Sequence, residues 1–127
     1  MLPRIFQNFP QILAVYLFGS SAAGKTHSES DLDLAVLPES AEFHRQKTVI
    51  LTELVRHGFC DVDLVFIDVD DIVLRYEAIR QNKLIYSRPD FDAASFFSKT
   101  IRQYLDFLPY LEVQRKAYKK RILDGQV

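Results

Sequence analysis

Residues 17–36 read LFGSSAAGKTHSESDLDLAV, and this stretch contains two overlapping phosphate-site patterns that demand different folds. Gly19, Gly24, Lys25 and Thr26 fit the spacing G-x-x-x-x-G-K-[ST] of a phosphate-binding loop, which must open a helix so that backbone amides and the helix dipole face the anion. The residues after Thr26 do not read as a helix. His27 to Pro38 moves into a period-two alternation of polar and apolar side chains and stops at proline, which is the pattern of a strand. The same stretch is also Gly19-Ser20, ten residues, then Asp31-Leu32-Asp33. Side chains two apart on a strand leave the same face, with Cα atoms about 7 Å apart, so Asp31 and Asp33 can converge. Two carboxylates brought to about 4 Å repel by roughly 4 kcal/mol at an effective dielectric near 20. A divalent cation offsets that repulsion, and the strand reading therefore decides both the fold and the chemistry.

Outward from this stretch the pattern is of alternating helices and strands. Ile12 to Phe18 is almost wholly apolar and bounded by Gly19, as expected of a strand buried on both faces. Residues 3–10 read as a short helix. Asp31 to Leu37 alternates, with Asp31 and Asp33 on one side and Leu32, Leu34 and Val36 on the other. Residues 39–57 read as an amphipathic helix with Phe43, Ile50, Leu51 and Leu54 inward, closed by Gly58. Residues 61–68 form a third strand with Asp61, Asp63, Val65 and Ile67 on one face. Residues 70–82 read as a helix with Ile72, Val73, Tyr76 and Ile79 inward and Asp68 as its N-cap, and residues 84–86 as a short edge strand. Residues 91–123 are helical in pattern, with Pro109 expected to kink or split them.

These elements add up to an α/β (α+β) fold: a small mixed sheet of three to four strands with helices packed on it and C-terminal helices beyond. A chain of 127 residues suits one domain spanning 1–127, with a catalytic core over about 11–86 and a helical segment over about 91–123. The net charge of −1 removes any global argument for nucleic-acid binding, and no direct nucleic-acid contact is expected. Absence of a signal-like N-terminus and of any apolar run near 18 residues predicts a cytoplasmic protein without a membrane partner. The one cysteine, Cys60, is expected to be a small buried hydrophobe. His44 and His57 carry no functional weight in this reading, and His27 is expected to be solvated.

A site for a nucleoside triphosphate follows from the carboxylates. Magnesium is usually held by one or two carboxylates together with substrate phosphates, so Asp31 and Asp33 are the candidate metal ligands. Gly19 and Ser20 offer a closely approaching backbone and a hydroxyl to the phosphates, and the turn from Ser21 to Lys25 is expected to aim amides at them. A third carboxylate from a neighbouring strand should complete the metal site or act as base on the attacking hydroxyl. Asp63, inside the third strand, is preferred to Asp61 at its start. Lys25 either touches a phosphate or faces water.

Gly19, Ser20, Gly24, Ser30, Asp31, Asp33 and Leu34, followed by Val62-Asp63-Leu64-Val65, together resemble the signature of the nucleotidyltransferase superfamily that includes DNA polymerase beta. Its small size makes it resemble the minimal nucleotidyltransferase branch, the antitoxin partners of HEPN-domain ribonuclease toxins. The resemblance covers residues 13–86, and it is generic beyond. Where the family often has arginine after Gly-Ser, this loop has Ser21, Ala22 and Ala23, with Lys25 as the nearest cation. The resemblance implies a mixed sheet with helices on one side, and magnesium-dependent transfer of AMP from ATP to a tyrosine hydroxyl of a HEPN toxin. It implies that Asp31, Asp33 and Asp63 hold the metal and do the catalysis, and that Gly19, Ser20, Ser30 and Lys25 lie at the nucleotide. Two rival functions stand beside it: neutralisation of the toxin by binding alone, and transfer to a small acceptor of aminoglycoside type, which would need an additional acceptor-binding domain.

Overall fold

The computed structural model describes residues 2–19 and 32–123, with side chains up to Lys120. Four strands, β1 (Ile12–Leu17), β2 (Leu32–Pro38), β3 (Val62–Phe66) and β4 (Lys83–Ser87), form one sheet in the order β3-β2-β1-β4. β1 is antiparallel to both β2 and β4, whereas β2 and β3 run parallel. A parallel pair needs a crossover, and it is supplied by a 3₁₀ helix (Ala41–Gln46) leading into α2 (Lys47–Arg56). The remaining helices are α1 (Leu2–Gln7), α3 (Ile72–Ile79) and α4 (Ala93–Leu123). Among the described residues no helix is long and apolar enough to cross a membrane.

Helices cover both faces of the sheet, not one. Val15, Leu34, Val36 and Leu64 pack against Ile5 and Phe6 of α1, Phe43 of the 3₁₀ helix, and Ile50 and Leu54 of α2. Ala14, Tyr16, Ala35, Leu37 and Ile67 pack on the other side against Ala78 and Ile79 of α3 and Phe96 and Phe97 of α4. The reason is in β1 and β2, whose side chains are apolar on both faces and have to be covered twice. A register irregularity between Ile12 and Ala14 turns the consecutive residues Leu13 and Ala14 to the same face.

Several local expectations change. The single helix expected over 39–57 is a 3₁₀ turn followed by α2, and only its second part has α geometry. Helix α3 is capped by Asp71, whose carboxylate accepts the Leu74 N–H at 3.1 Å, and not by Asp68. Asp68 instead accepts from His44 Nε2 at 2.7 Å, and the His44 ring stacks on Phe66 with centroids 4.3 Å apart. The pair ties the 3₁₀ helix to the end of β3. Arg75 on α3 reaches back to donate to the carbonyls of Ile67 at 3.1 Å and Val69 at 2.6 Å, which settles the backbone of the β3–α3 loop. Cys60 is exposed, because it lies between α2 and β3 outside either core cluster.

Pro109 does not split the C-terminal segment, since α4 runs through it as one helix. The first half of α4 packs on the body, with Thr100 buried and Tyr104 stacked on Tyr76 at a centroid distance of 3.7 Å. Asp92 holds the N-terminus of α4 by accepting from the backbone N–H and hydroxyl of Ser95 at 3.1 and 2.7 Å, and these bonds lower its pKa. At the end of the sheet where β1 begins and β2 and β4 finish, Arg88 donates to the Pro10 carbonyl at 2.8 Å and pairs with Glu39 and Asp90.

Candidate active site

The opposite end of the sheet carries the carboxylates. β1 finishes where β2 and β3 begin, so the residues after β1 and the first residues of β2 and β3 share one edge. The Phe18 N–H donates to the Asp33 carbonyl at 3.1 Å, and the Leu32 N–H donates to the Asp61 carbonyl at 3.1 Å, which knits the three segments together. In the parallel β2–β3 ladder Asp33 and Asp63 are direct partners. Adjacent strands lie about 4.8 Å apart, and alternation puts Asp33 with Ala35 and Leu37 and Asp63 with Val65 and Ile67, all on the α3–α4 face. Two carboxylates therefore leave one face side by side. Asp33 is half-buried and Asp63 is exposed.

Gly19 closes the site from the β1 side. Its φ of +63° is a left-handed conformation that favours glycine, and a Cβ there would lie 2.9 Å from Asp33 Oδ2. Gly19 thus lies close against the carboxylate of the next strand, where a side chain would not fit. Tyr16 lies on the same sheet face, opposite Ala35, with its ring 6.3 Å from that of Phe96. Its hydroxyl is buried without a hydrogen-bond partner among the described residues, and burial pushes its pKa up to about 12. From sequence Tyr16 reads only as one more apolar position of β1, since alternation says nothing about where a phenolic oxygen ends.

Of the residues nominated from sequence, the structure brings Gly19, Asp33 and Asp63 to one place. Ser20, Lys25, Ser30 and Asp31, with the turn from Ser21 to Lys25, lie outside the described residues. Asp61 is exposed and sits just before β3, two positions from Asp63. Among the described residues no three side chains of His, Cys, Asp or Glu group as a metal site. The Asp33–Asp63 pair by itself offers hard oxygen donors of the kind a magnesium–triphosphate complex takes.

A buried antiparallel strand, a glycine turned against a carboxylate and a second carboxylate on the parallel neighbour thus meet at one edge of the sheet. The polymerase beta nucleotidyltransferase family model matches residues 2–91, and the chain belongs to that family. Among curated proteins it is similar to the protein adenylyltransferase MntA of Shewanella oneidensis, with 31% identity over 110 residues that span 87% of this chain and 76% of that protein. Among solved structures, a toxin–antitoxin with AMP-PNP superposes with a TM-score of 0.72 at 27% identity, covering 96% of this chain and 95% of that one. The MNT antitoxin bound to a tri-AMPylated Shewanella oneidensis HEPN toxin superposes with a TM-score of 0.66 at 26% identity, covering 96% and 92%. These superpositions extend the likeness over α4, where the sequence resemblance is generic.

Proposed function

We propose that this chain is an antitoxin that transfers AMP from ATP to a tyrosine hydroxyl of a partner HEPN ribonuclease toxin. The observation that carries the reading is the Asp33–Asp63 pair, set side by side by the β2–β3 register with Gly19 against Asp33. A relative named a protein adenylyltransferase and neighbours solved with AMP-PNP and with an AMPylated HEPN toxin support the nucleotide and the partner.

Asp31, Asp33 and Asp63 are the residues that would hold magnesium, which when bound with ATP supplies neutralisation of the phosphate charge. Asp63, the exposed member of the pair, faces the acceptor and takes the hydroxyl proton as the oxygen attacks the α-phosphorus. The bond from the α-phosphorus to its bridging oxygen breaks, and pyrophosphate leaves with the electron pair. Asp33 is more enclosed, and Gly19, which has no Cβ, leaves the room its carboxylate occupies. Ser20 and Ser30 donate to the triphosphate, and Lys25 adds the nearest positive charge in the loop. The work of the protein is positioning and charge compensation, as in other phosphoryl transfers.

Labelled ATP, magnesium and the cognate HEPN toxin, incubated with this protein, should label a toxin tyrosine. Inhibition of the toxin with no tyrosine labelled would replace transfer by neutralisation through binding.

A further inference from the structure

The first half of α4 is spent on the core, but from Glu112 to Lys120 every residue is exposed. Residues 112–123 carry the helix about 18 Å further at 1.5 Å per residue. They follow Pro109, which removes one backbone donor from the helix just where the packed half ends. The exposed half is amphipathic all the same. Tyr110, Val113 and Ala117 recur at i, i+3 and i+7 on one side, and Tyr110 and Val113 are 70% and 65% exposed. Tyr110 and Phe107 also line a groove of about 420 Å³ with Ile72 and Arg75 of α3. An apolar strip therefore begins in the groove and continues along the helix.

Charge decides what can cover it. Residues 112–123 contain Arg115, Lys116, Lys119, Lys120 and Arg121 against Glu112, a net of +4, so the rest of the chain, with the total at −1, carries −5. A second copy laid along this helix would bring two +4 segments together. A nucleic acid would meet a body of −5 beside the helix. A protein surface with an apolar centre and an acidic rim satisfies both the strip and its lysines. We propose that the second half of α4 is a docking strip for such an acid-rimmed apolar surface on the toxin. The occupant rests on the reading of a HEPN toxin as partner.

The strip is remote from the chemistry. The groove is lined by Asp70 and Ile72, just past the end of β3, whereas Asp63 stands at its start. The strand alone carries the chain about 10 Å from Asp63 to Phe66 before the β3–α3 loop begins. The toxin can thus be gripped at α4 while the Asp33–Asp63 edge stays open to nucleotide and tyrosine.

The test is the affinity of the full chain for the cognate HEPN toxin, by calorimetry, with melting curves as a check of folding. Val113→Glu should weaken binding by about 10-fold or more, as expected for the centre of an interface, and raise the KM for toxin in AMP transfer with little change in kcat. The double variant Lys116→Glu/Lys120→Glu, confined to exposed positions, should weaken binding and abolish its decline with added salt. If the unaltered chain binds the toxin and both variants bind within about 2-fold of it, a change too small for a buried contact, the strip is refuted and the partner reading stands. If the unaltered chain does not bind the toxin, the partner reading and the occupant fall together. Self-association or RNA binding that Val113→Glu removes would overturn the acid-rimmed protein occupant.

Discussion

Replacing Gly19 by alanine perturbs two things at once, and Gly58 allows them to be separated. Both glycines have positive φ, +63° and +94°. An L-residue held in left-handed backbone loses about 1–2 kcal/mol. Gly58 sits past the end of α2, where an added methyl would have nothing within 4 Å, whereas a methyl on Gly19 meets Asp33 Oδ2 at 2.9 Å. Contact that short forces the carboxylate to give way by a few tenths of an ångström or to leave its rotamer. Each variant should therefore melt a few degrees lower, roughly 3–10 °C for 1–2 kcal/mol in a domain of this size. Only Gly19→Ala should lose AMP transfer, by up to about 100-fold where the carboxylate leaves its rotamer, because misplacing a catalytic group by about 1 Å costs that much. The assay is steady-state transfer of labelled AMP to the toxin, at a temperature where both variants are folded. Wild-type transfer by Gly19→Ala, or an equal loss in Gly58→Ala, would refute the positioning of Asp33 by Gly19.

Asp33→Asn and Asp63→Asn should each abolish transfer, and Asp63→Asn, which removes one of two adjacent like charges at an exposed position, should leave the melting temperature equal or higher; a clearly lower melting temperature for Asp63→Asn would sink the idea of repelling neighbours. Tyr16→Phe should raise stability by on the order of 1 kcal/mol, because it deletes a buried hydroxyl without a partner among the described residues. The pH dependence has a definite sign. Tyr16 is neutral in both states below its unfolded pKa near 10, the unfolded chain ionises first, and stability is lost as pH rises from about 10 through about 12. Melting curves of Tyr16→Phe should be flatter over that window, and an identical decline would mean another group carries it. Cys60 should react completely with a thiol reagent in the native protein, as its exposure requires, and protection until unfolding would contradict it.

Much of the fold is legible in the residues, for a local reason. β1 announces itself by an unbroken apolar run, β2 and the inner face of α2 by period, and Gly58 by its place after an amphipathic helix, because these signals need no knowledge of what packs on them. The misreadings share the opposite cause. Helices on both faces, the 3₁₀ turn before α2, the unbroken α4 and the exposed Cys60 all depend on what the neighbouring segment covers. The α3 cap falls to Asp71 because it is the nearer competitor, and Asp68 is taken by His44.

For the candidate site the division is similar. The pairing of Gly19 with Asp33 is suggested by spacing alone, and the strand over Leu32–Pro38 by its alternation and closing proline, while Ser20 and Asp31 lie outside the described residues. Asp63 can be nominated from its face but not aligned. Its position beside Asp33 is a matter of register between two strands 30 residues apart, and a shift of one residue would turn it to the other face. Which residue types share one side of each strand is thus written in the chain, because alternation is built into the strand. That Asp33 and Asp63 stand together with Gly19 against Asp33 is a property of the folded molecule alone, because pairing between strands is set by the packing of both faces of the sheet at once.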